Sequence, residues 1–342
     1  MDTARLVPLR VAQWGLGNYG RALVRLLHQN GAMTVAAIDR HPDRVGRDVG
    51  VISGIGRVGV SVVGPDAAES ALRAASPDVC IVATRTQFRE VYDQLLTAAR
   101  LGIDCITLSE EAFYPWTTEP ELARRVDEAA REHSCVVTAS GMNDTLAAWL
   151  LKLLAASSAQ VTKLRWTIQY NADDGGRLAR EHGVGSERKQ FEREVGARGA
   201  SFYSRPIVEW LRAAFGWKDG AIEQRYRPII ATEQVTSAGG AIPAGHVIGM
   251  HDEVMFKSAT AQIIEVCCSG KVYTSSDRDF SEGVVTGVPN TTLRIDQPAY
   301  LELTCASLMN RIPQLSSAPR GYVTTERWSF PRFTPIVARE LS

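Results

Sequence analysis

The segment Arg10–Gly20, reading RVAQWGLGNYG, constrains this chain more than any other stretch. A short apolar run ending at Trp14 leads directly into G-x-G-x-x-G at Gly15, Gly17 and Gly20, and a helical pattern, Arg21–His28, follows. Each piece has a physical reason in a dinucleotide site. Gly15 permits the tight turn, Gly17 lets the main chain approach a pyrophosphate, and Gly20 lets the helix close on the strand. The helix start offers unpaired N–H groups and a positive dipole end to the phosphates. A second apolar run, Thr34–Ile38, stops on Asp39, nineteen residues after Gly20, where a carboxylate accepts from adenosine ribose hydroxyls. Gly15, Leu16, Gly17, Asn18, Tyr19, Gly20 and Asp39 are therefore expected to line a nicotinamide dinucleotide site. The alternative is a glycine-rich turn without a ligand.

At 342 residues two domains are the default. Lys+Arg and Asp+Glu both count 38, so there is no net charge to drive binding to nucleic acid or anionic lipid. No run has the length of an apolar membrane span, and no signal-peptide core opens the chain. The six cysteines include no C-x-x-C and read as buried thiols of a reducing cytoplasm. The six histidines form no H-x-x-x-H, so no metal site is expected.

Strand and helix patterns alternate through the first part. After Asp39 come a strand-like Val58–Val63, a helical Ala67–Ala75, the buried strand Asp78–Thr84, the helix Gln87–Leu101, the strand Asp104–Ser109, the helix Glu119–His133 and the strand Cys135–Ala139. Six strands with intervening helices imply an α/β Rossmann-type, doubly wound, mostly parallel sheet. Ligands of such sheets sit at the carboxyl ends of strands. Gly15–Gly20, Thr84–Arg85, Ser109–Glu111 and Ser140–Asn143 should therefore meet on one rim.

From about Thr145 the pattern changes. After an apolar helix, Leu146–Ala156, strand candidates are Val161–Tyr170, Glu223–Glu233, Gly245–Phe256, Ala261–Ser269 and Thr291–Leu303, with a helix at Ile207–Phe215. They suggest a second α+β domain on a mainly antiparallel sheet. The domains are drawn as 1–145, completed by 304–342, and 146–303. Asn171–Gly199 lacks periodicity and reads as a lid or a solvated connection.

The residues best suited to chemistry are Ser109-Glu110-Glu111-Ala-Phe-Tyr114-Pro-Trp116, following a buried strand. A carboxylate beside a carbon that exchanges a hydride can take a proton from a substrate ammonium, stabilise the iminium, and activate the water that attacks it. Partial burial would raise its pKa and suit it to this work. The competing reading of a glutamate pair is helix capping or a surface ion pair.

The motifs Trp14-Gly-Leu-Gly17, Ile38–Asp48, Ser109–Trp116, Asn310-Arg-Ile-Pro313 and Ala318-Pro-Arg-Gly321 resemble the 2,4-diaminopentanoate dehydrogenase family, which includes native amine dehydrogenases and is related in fold to dihydrodipicolinate reductase. The resemblance runs through nearly the whole chain. It implies NAD(P)-linked oxidative deamination of an amine to a ketone or aldehyde plus ammonia, reversible as reductive amination, and a homodimer built through the sheet domain. It also maps a catalytic glutamate to Glu110 or Glu111; Glu110, on a strand face with Ile106 and Leu108, is favoured. An alcohol or imine oxidoreductase, or a dinucleotide sensor without turnover, are the rival readings.

The family often shows Gly-x-Asn-Pro-Gly where this chain has Gly141-Met-Asn143-Asp-Thr145; Asn143 keeps an amide suited to the nicotinamide or the amine, or to capping the next helix. The paired histidines followed by lysine of dihydrodipicolinate reductases are not visible. Tyr170, Asn171, His182 and His251 are the substrate-binding candidates of the second domain, with Asp252 as an orienting partner for His251. Trp166, Phe202, Tyr203 and Trp210 are candidate walls of an apolar pocket. Asp39 favours the free 2′-OH of NAD, while Arg40 and Arg44 suit the 2′-phosphate of NADP, so use of both is expected.

Overall fold

Fully apolar runs too short for helices, such as Val79–Val82, need cover on both faces, and the intervening amphipathic helices supply it. The computed structural model describes residues 6–199, 201–334 and 338–340. It divides into two units, Met1–Leu146 joined by Ala299–Ser342, and Ala147–Pro298. Of the expected first domain and its tail, residues 1–5, 335–337 and 341–342 lie outside the described residues.

In the first unit β1 (Arg10–Trp14), β2 (Met33–Ile38), β3 (Val62–Val63), β4 (Val79–Val82), β5 (Asp104–Thr107) and β6 (Val136–Ala139) form a parallel sheet with Gly321–Tyr322. The order is Gly321–Tyr322, β6, β5, β4, β1, β2, β3, so the winding reverses between β1 and β4. The edge strand from the tail is a seventh beyond the six expected. Helix α1 (Asn18–Gln29) buries Ala22, Leu23 and Leu27 in one cluster with Cys305, Leu308 and Met309 of the helix Tyr300–Arg311.

The second unit holds β7 (Gln160–Asn171), β8 (Gly220–Ile230), β9 (Val247–Ser258), β10 (Ile263–Lys271), β11 (Phe280–Val288) and β12 (Thr291–Asp296). Their order is β12-β11-β7-β10-β9-β8, antiparallel except between β7 and β10. Period-two alternation buries one face: Leu164, Trp166 and Ile168 align with Ile264, Val266 and Cys268, then Phe256, Val254 and Asp252. Trp149 and Trp210 meet edge to face, with ring centroids 5.5 Å apart, and Trp166 and Trp210 are fully buried, so these aromatics are core.

Three expectations change. The strand expected over Thr291–Leu303 ends at Asp296 and a helix begins at Tyr300. Gln297 turns left-handed (φ 49°) and Pro298 has no ladder N–H. β11 was not expected at all, because Gly283 and Gly287 interrupt its apolar alternation. Asn171–Gly199 is not an irregular loop: it contains the short helices Arg177–Glu181 and Arg188–Glu194, each of at most two turns and too brief for a periodic signal.

Candidate active site

Backbone hydrogen bonds stitch the strand ends of the first unit into one rim. Gly15 N donates to Ile38 O (2.8 Å), Ala83 N to Trp14 O (2.8 Å), Leu108 N to Val82 O (3.1 Å) and Ser140 N to Thr107 O (3.1 Å). The glycine turn, Thr84–Arg85, Ser109–Glu111 and Ser140–Asn143 thereby line the carboxyl edge beside the winding reversal, where doubly wound sheets bind ligands.

The three glycines have different reasons. Gly15 is at φ 96°, and a Cβ there would stand 2.5 Å from Ala83 O; a Cβ on Gly20 would stand 1.9 Å from Gly15 O. Gly17 has an ordinary φ of −64° and nothing within 4 Å of its missing Cβ. Protein packing forces Gly15 and Gly20, whereas at Gly17 glycine leaves bare backbone before open space. No side chain caps α1, whose first turn carries no acid. An open glycine backbone at an uncapped helix start fits a dinucleotide diphosphate. Asn18 is exposed there, its Oδ1 accepting from Arg21 Nη2 at 2.9 Å, while Tyr19 has 39% of its surface exposed. Leu16 differs: its side chain is wholly buried and its N–H donates to Asp39 Oδ2 at 2.6 Å.

Asp39 is buried and engaged by protein. Oδ1 accepts from His41 N (2.7 Å), and Oδ2 from Leu16 N and from Arg44 Nη1 (3.1 Å). Burial alone would raise its pKa, but the two backbone N–H groups and Arg44 outweigh it and hold the carboxyl below its usual range. Arg40 next to it is exposed.

The adjacent glutamates part company. Glu111 is 7% exposed, and its Oε2 accepts from Phe88 N at 2.8 Å, closing the first turn of the helix Phe88–Arg100. Glu110 is half-buried on the side of the glycine turn. Burial first, then the Glu110 carboxylate, push the Tyr19 phenol up to about 12. The rest of the motif is packing: Trp116 meets Tyr322 edge to face, and the Tyr322 hydroxyl donates to Ala112 O. Ser109 Oγ donates to Thr86 O (2.7 Å), Thr84 Oγ1 donates to Gln94 Oε1 (2.7 Å), and Arg85 lies 3.7 Å from Glu90. Asn143 is 8% exposed, and its Oδ1 is buried without a partner.

In the second unit Tyr170 and His182 come together and His251 does not. His182 Nδ1 faces Leu178 O (2.8 Å), so it carries the proton, and Nε2 accepts from the Tyr170 hydroxyl at 2.6 Å. Burial pushes the Tyr170 pKa up and that of His182 down, keeping the pair neutral. Gly270 makes room for it: a Cβ would stand 2.4 Å from His182 Nε2. Asn171 is exposed, its Oδ1 accepting from Asp173 N at 3.0 Å. His251 lies on the other sheet face, bonded to Ser269 Oγ at 2.7 Å. Asp252 is no orienting partner for it, because successive strand residues point to opposite faces.

Sequence reasoning also missed the surroundings of Asp252. The side chain is buried, accepts from Ser201 Oγ and from Ser204 Oγ (2.8 Å), and its Oδ1 has no partner. Burial raises its pKa to about 6. The folded chain therefore holds, between about pH 4 and 6, a proton that the unfolded chain releases, so this group's contribution to stability falls as pH rises through that window. Asp252→Asn should remove that slope: urea unfolding at pH 4.5, 6 and 7.5 should show the variant gaining on the parent as pH rises, by up to about 3 kcal/mol. A gain independent of pH would contradict it. Among the described residues, no group of three or more His, Cys, Asp or Glu could hold a metal ion.

No family model matches the chain. The fold is similar to the solved amine dehydrogenase of Mycobacterium smegmatis, with a TM-score of 0.88 and 32% identity, covering 96% of this chain and 98% of that one. The 2,4-diaminopentanoate dehydrogenase of Acetoanaerobium sticklandii is 27% identical over 281 residues, 78% of each chain. The 4-hydroxy-tetrahydrodipicolinate reductase of Methanococcus maripaludis is 29% identical over 136 residues, 39% of this chain and 47% of its own.

Proposed function

Since this chain belongs to the amine dehydrogenase family, we propose that it is an NAD(P)-dependent oxidoreductase that converts a CH–NH2 group to C=O plus ammonia, and the reverse. The site observation that carries the mechanism is the division of labour between Glu110 and Glu111. Glu111 Oε2 closes a helix, and Glu110 is the half-buried carboxylate whose charge acts on Tyr19 at the glycine turn.

The dinucleotide, when bound, accepts or returns a hydride at the substrate carbon. Gly17 and the start of α1 would hold its diphosphate, Asp39 its ribose, and Asn143 its nicotinamide end. Glu110 takes a proton from the substrate ammonium, giving the free amine that can lose hydride. Once that proton has passed to solvent, the Glu110 carboxylate stabilises the resulting iminium and accepts a proton from the water that attacks that carbon. Glu110 returns the water's proton to the departing nitrogen, so one substrate ammonium ion and one water become one carbonyl and one ammonium, with a hydride passed to the dinucleotide and one proton to solvent. Tyr170, its only proton committed to His182, offers lone pairs suited to a substrate N–H, and we assign substrate contact to that pair and Asn171 before His251. The similarity to a diaminopentanoate dehydrogenase favours small amines, diamines included.

NADPH or NADH consumption with a panel of small ketones, with and without ammonium, tests the proposal. Turnover that requires ammonium supports it. Ammonium-independent turnover would make the chain an alcohol or imine oxidoreductase, and dinucleotide binding without any turnover a sensor.

We expect both cofactors to serve, because Arg44 offsets the Asp39 charge that would repel a 2′-phosphate. Arg44→Ala should weaken NADP relative to NAD by roughly tenfold, the loss of one charge-assisted hydrogen bond; an unchanged affinity ratio would exclude Arg44 from the choice. We place the protein in the cytoplasm, because all six cysteines are buried thiols. Among the described residues no helix is long and apolar enough to cross a membrane. We also propose a homodimer through the charged outer face of the second sheet, carrying Arg165, Glu253 and Glu265; light scattering that finds a monomer would remove it.

A further inference from the structure

We propose that the buried pair Asp144–Arg311 is a positioning device that holds the Asn143 amide with its oxygen toward the nicotinamide carboxamide. This rests on the dinucleotide reading of the rim.

Both partners are fully buried. Arg311 grips both carboxylate oxygens, Nε to Oδ2 at 2.7 Å and Nη2 to Oδ1 at 3.0 Å. Its remaining nitrogen, Nη1, donates to Gln314 Oε1 (2.8 Å) and Ser329 O (2.5 Å), and the guanidinium lies 5.0 Å from the Trp328 ring centroid. Desolvation cancels much of the attraction in such a pair, so stability alone is a weak reason to bury one. What the pair does is fix a short segment. Asp144 follows Asn143 in the first turn of a π-helix, Asn143–Trp149, a geometry frequent at functional sites. Asp144 Oδ2 also accepts from Ser140 Oγ at 2.8 Å, while Ser140 N is tied to Thr107 O. Gly141 is pressed between Thr304 and Leu108, to which a Cβ would come within 3.3 and 3.6 Å. The segment 140–144 is thus held at both ends.

The side chain it presents has an unfinished bond. Asn143 Oδ1 is buried without a donor, although buried acceptors are normally paired. On the rim of a nicotinamide site, the donor of matching chemistry is the carboxamide NH2.

The test uses the full chain and equilibrium binding, so it needs no amine turnover. Kd is measured calorimetrically for NADPH and for the reduced 3-acetylpyridine analogue, whose ring carries a methyl ketone and so has no NH2. The proteins are the parent, Asn143→Ala, Asp144→Asn and the double variant. Each single variant is expected to weaken NADPH by about tenfold, the worth of one hydrogen bond. The double variant should be no weaker than either single one, and all four should bind the analogue alike. Losses that multiply in the double variant, or that recur with the analogue, would reduce the pair to a structural brace and overturn the proposal. Should Asp144→Asn not fold, Ser140→Ala, which removes one support of Asp144, takes its place in the same cycle. A parent that binds neither dinucleotide would instead sink the cofactor reading itself.

Discussion

Glu110→Gln is expected to bind NAD(P) as the parent does and to lose roughly 10²–10⁴-fold in kcat for deamination, the usual worth of a positioned acid–base group. The amide keeps the size of the side chain but cannot take the ammonium proton or activate water. Its neighbour is the control. Glu111→Gln retains an oxygen for Phe88 N, so the helix it closes should persist and turnover should stay near the parent's. Glu111→Ala removes that oxygen and should lower stability by about 0.5–2 kcal/mol, as other lost helix caps do. Steady-state rates and melting curves on the three variants separate the roles. Loss of catalysis in Glu111→Gln with survival in Glu110→Gln would reverse the assignment and with it the proposed mechanism.

The glycine turn should divide as sharply. Gly20→Ala drives a Cβ into the Gly15 carbonyl, a backbone atom that cannot rotate away, and should cost about 3 kcal/mol or more. Gly17→Ala meets no protein atom and sits at a φ open to any residue, so the melting temperature should be unchanged. It should nonetheless lose dinucleotide affinity of order 10–100-fold, because a methyl group keeps the phosphate from the backbone N–H groups. A Gly17→Ala chain that binds as tightly as the parent would remove the diphosphate from this turn.

Local order carried much of this into the sequence. The glycine turn, the all-apolar β4 and the strand ending on Asp39 were legible because each rests on spacing along one short segment. The motif Ser109–Trp116 follows the end of β5, as its place after an apolar run had implied for the same reason. β11 and the helix at Tyr300 were not legible: glycines broke the alternation of one, and the other begins behind Pro298, within a stretch read as a single strand.

Side-chain assignment within the motifs was another matter. Two adjacent glutamates are equivalent on paper, and the proximity of Phe88 N, twenty-three residues away, gives one of them structural work. Arg311 stood in the quoted Asn310-Arg-Ile-Pro313 run, yet its partner lies 167 residues earlier, and no local pattern encodes a pairing across such a distance. Asp252 looked like a helper for His251 until the pleat of β9 sent them to opposite faces.

The residue order alone determined the parallel αβ architecture, the glycine turn between β1 and α1 and the position of an acidic pair at the end of β5, because periodicity and steric demand at glycine are short-range properties. Only the tertiary structure decided which acid receives the Phe88 N–H, that Asp39 is shared with Leu16 and Arg44, and that Asp144 is gripped by Arg311 of the tail. Those outcomes depend on which donors arrive at each buried oxygen, and donors are brought there by packing between segments far apart in the chain.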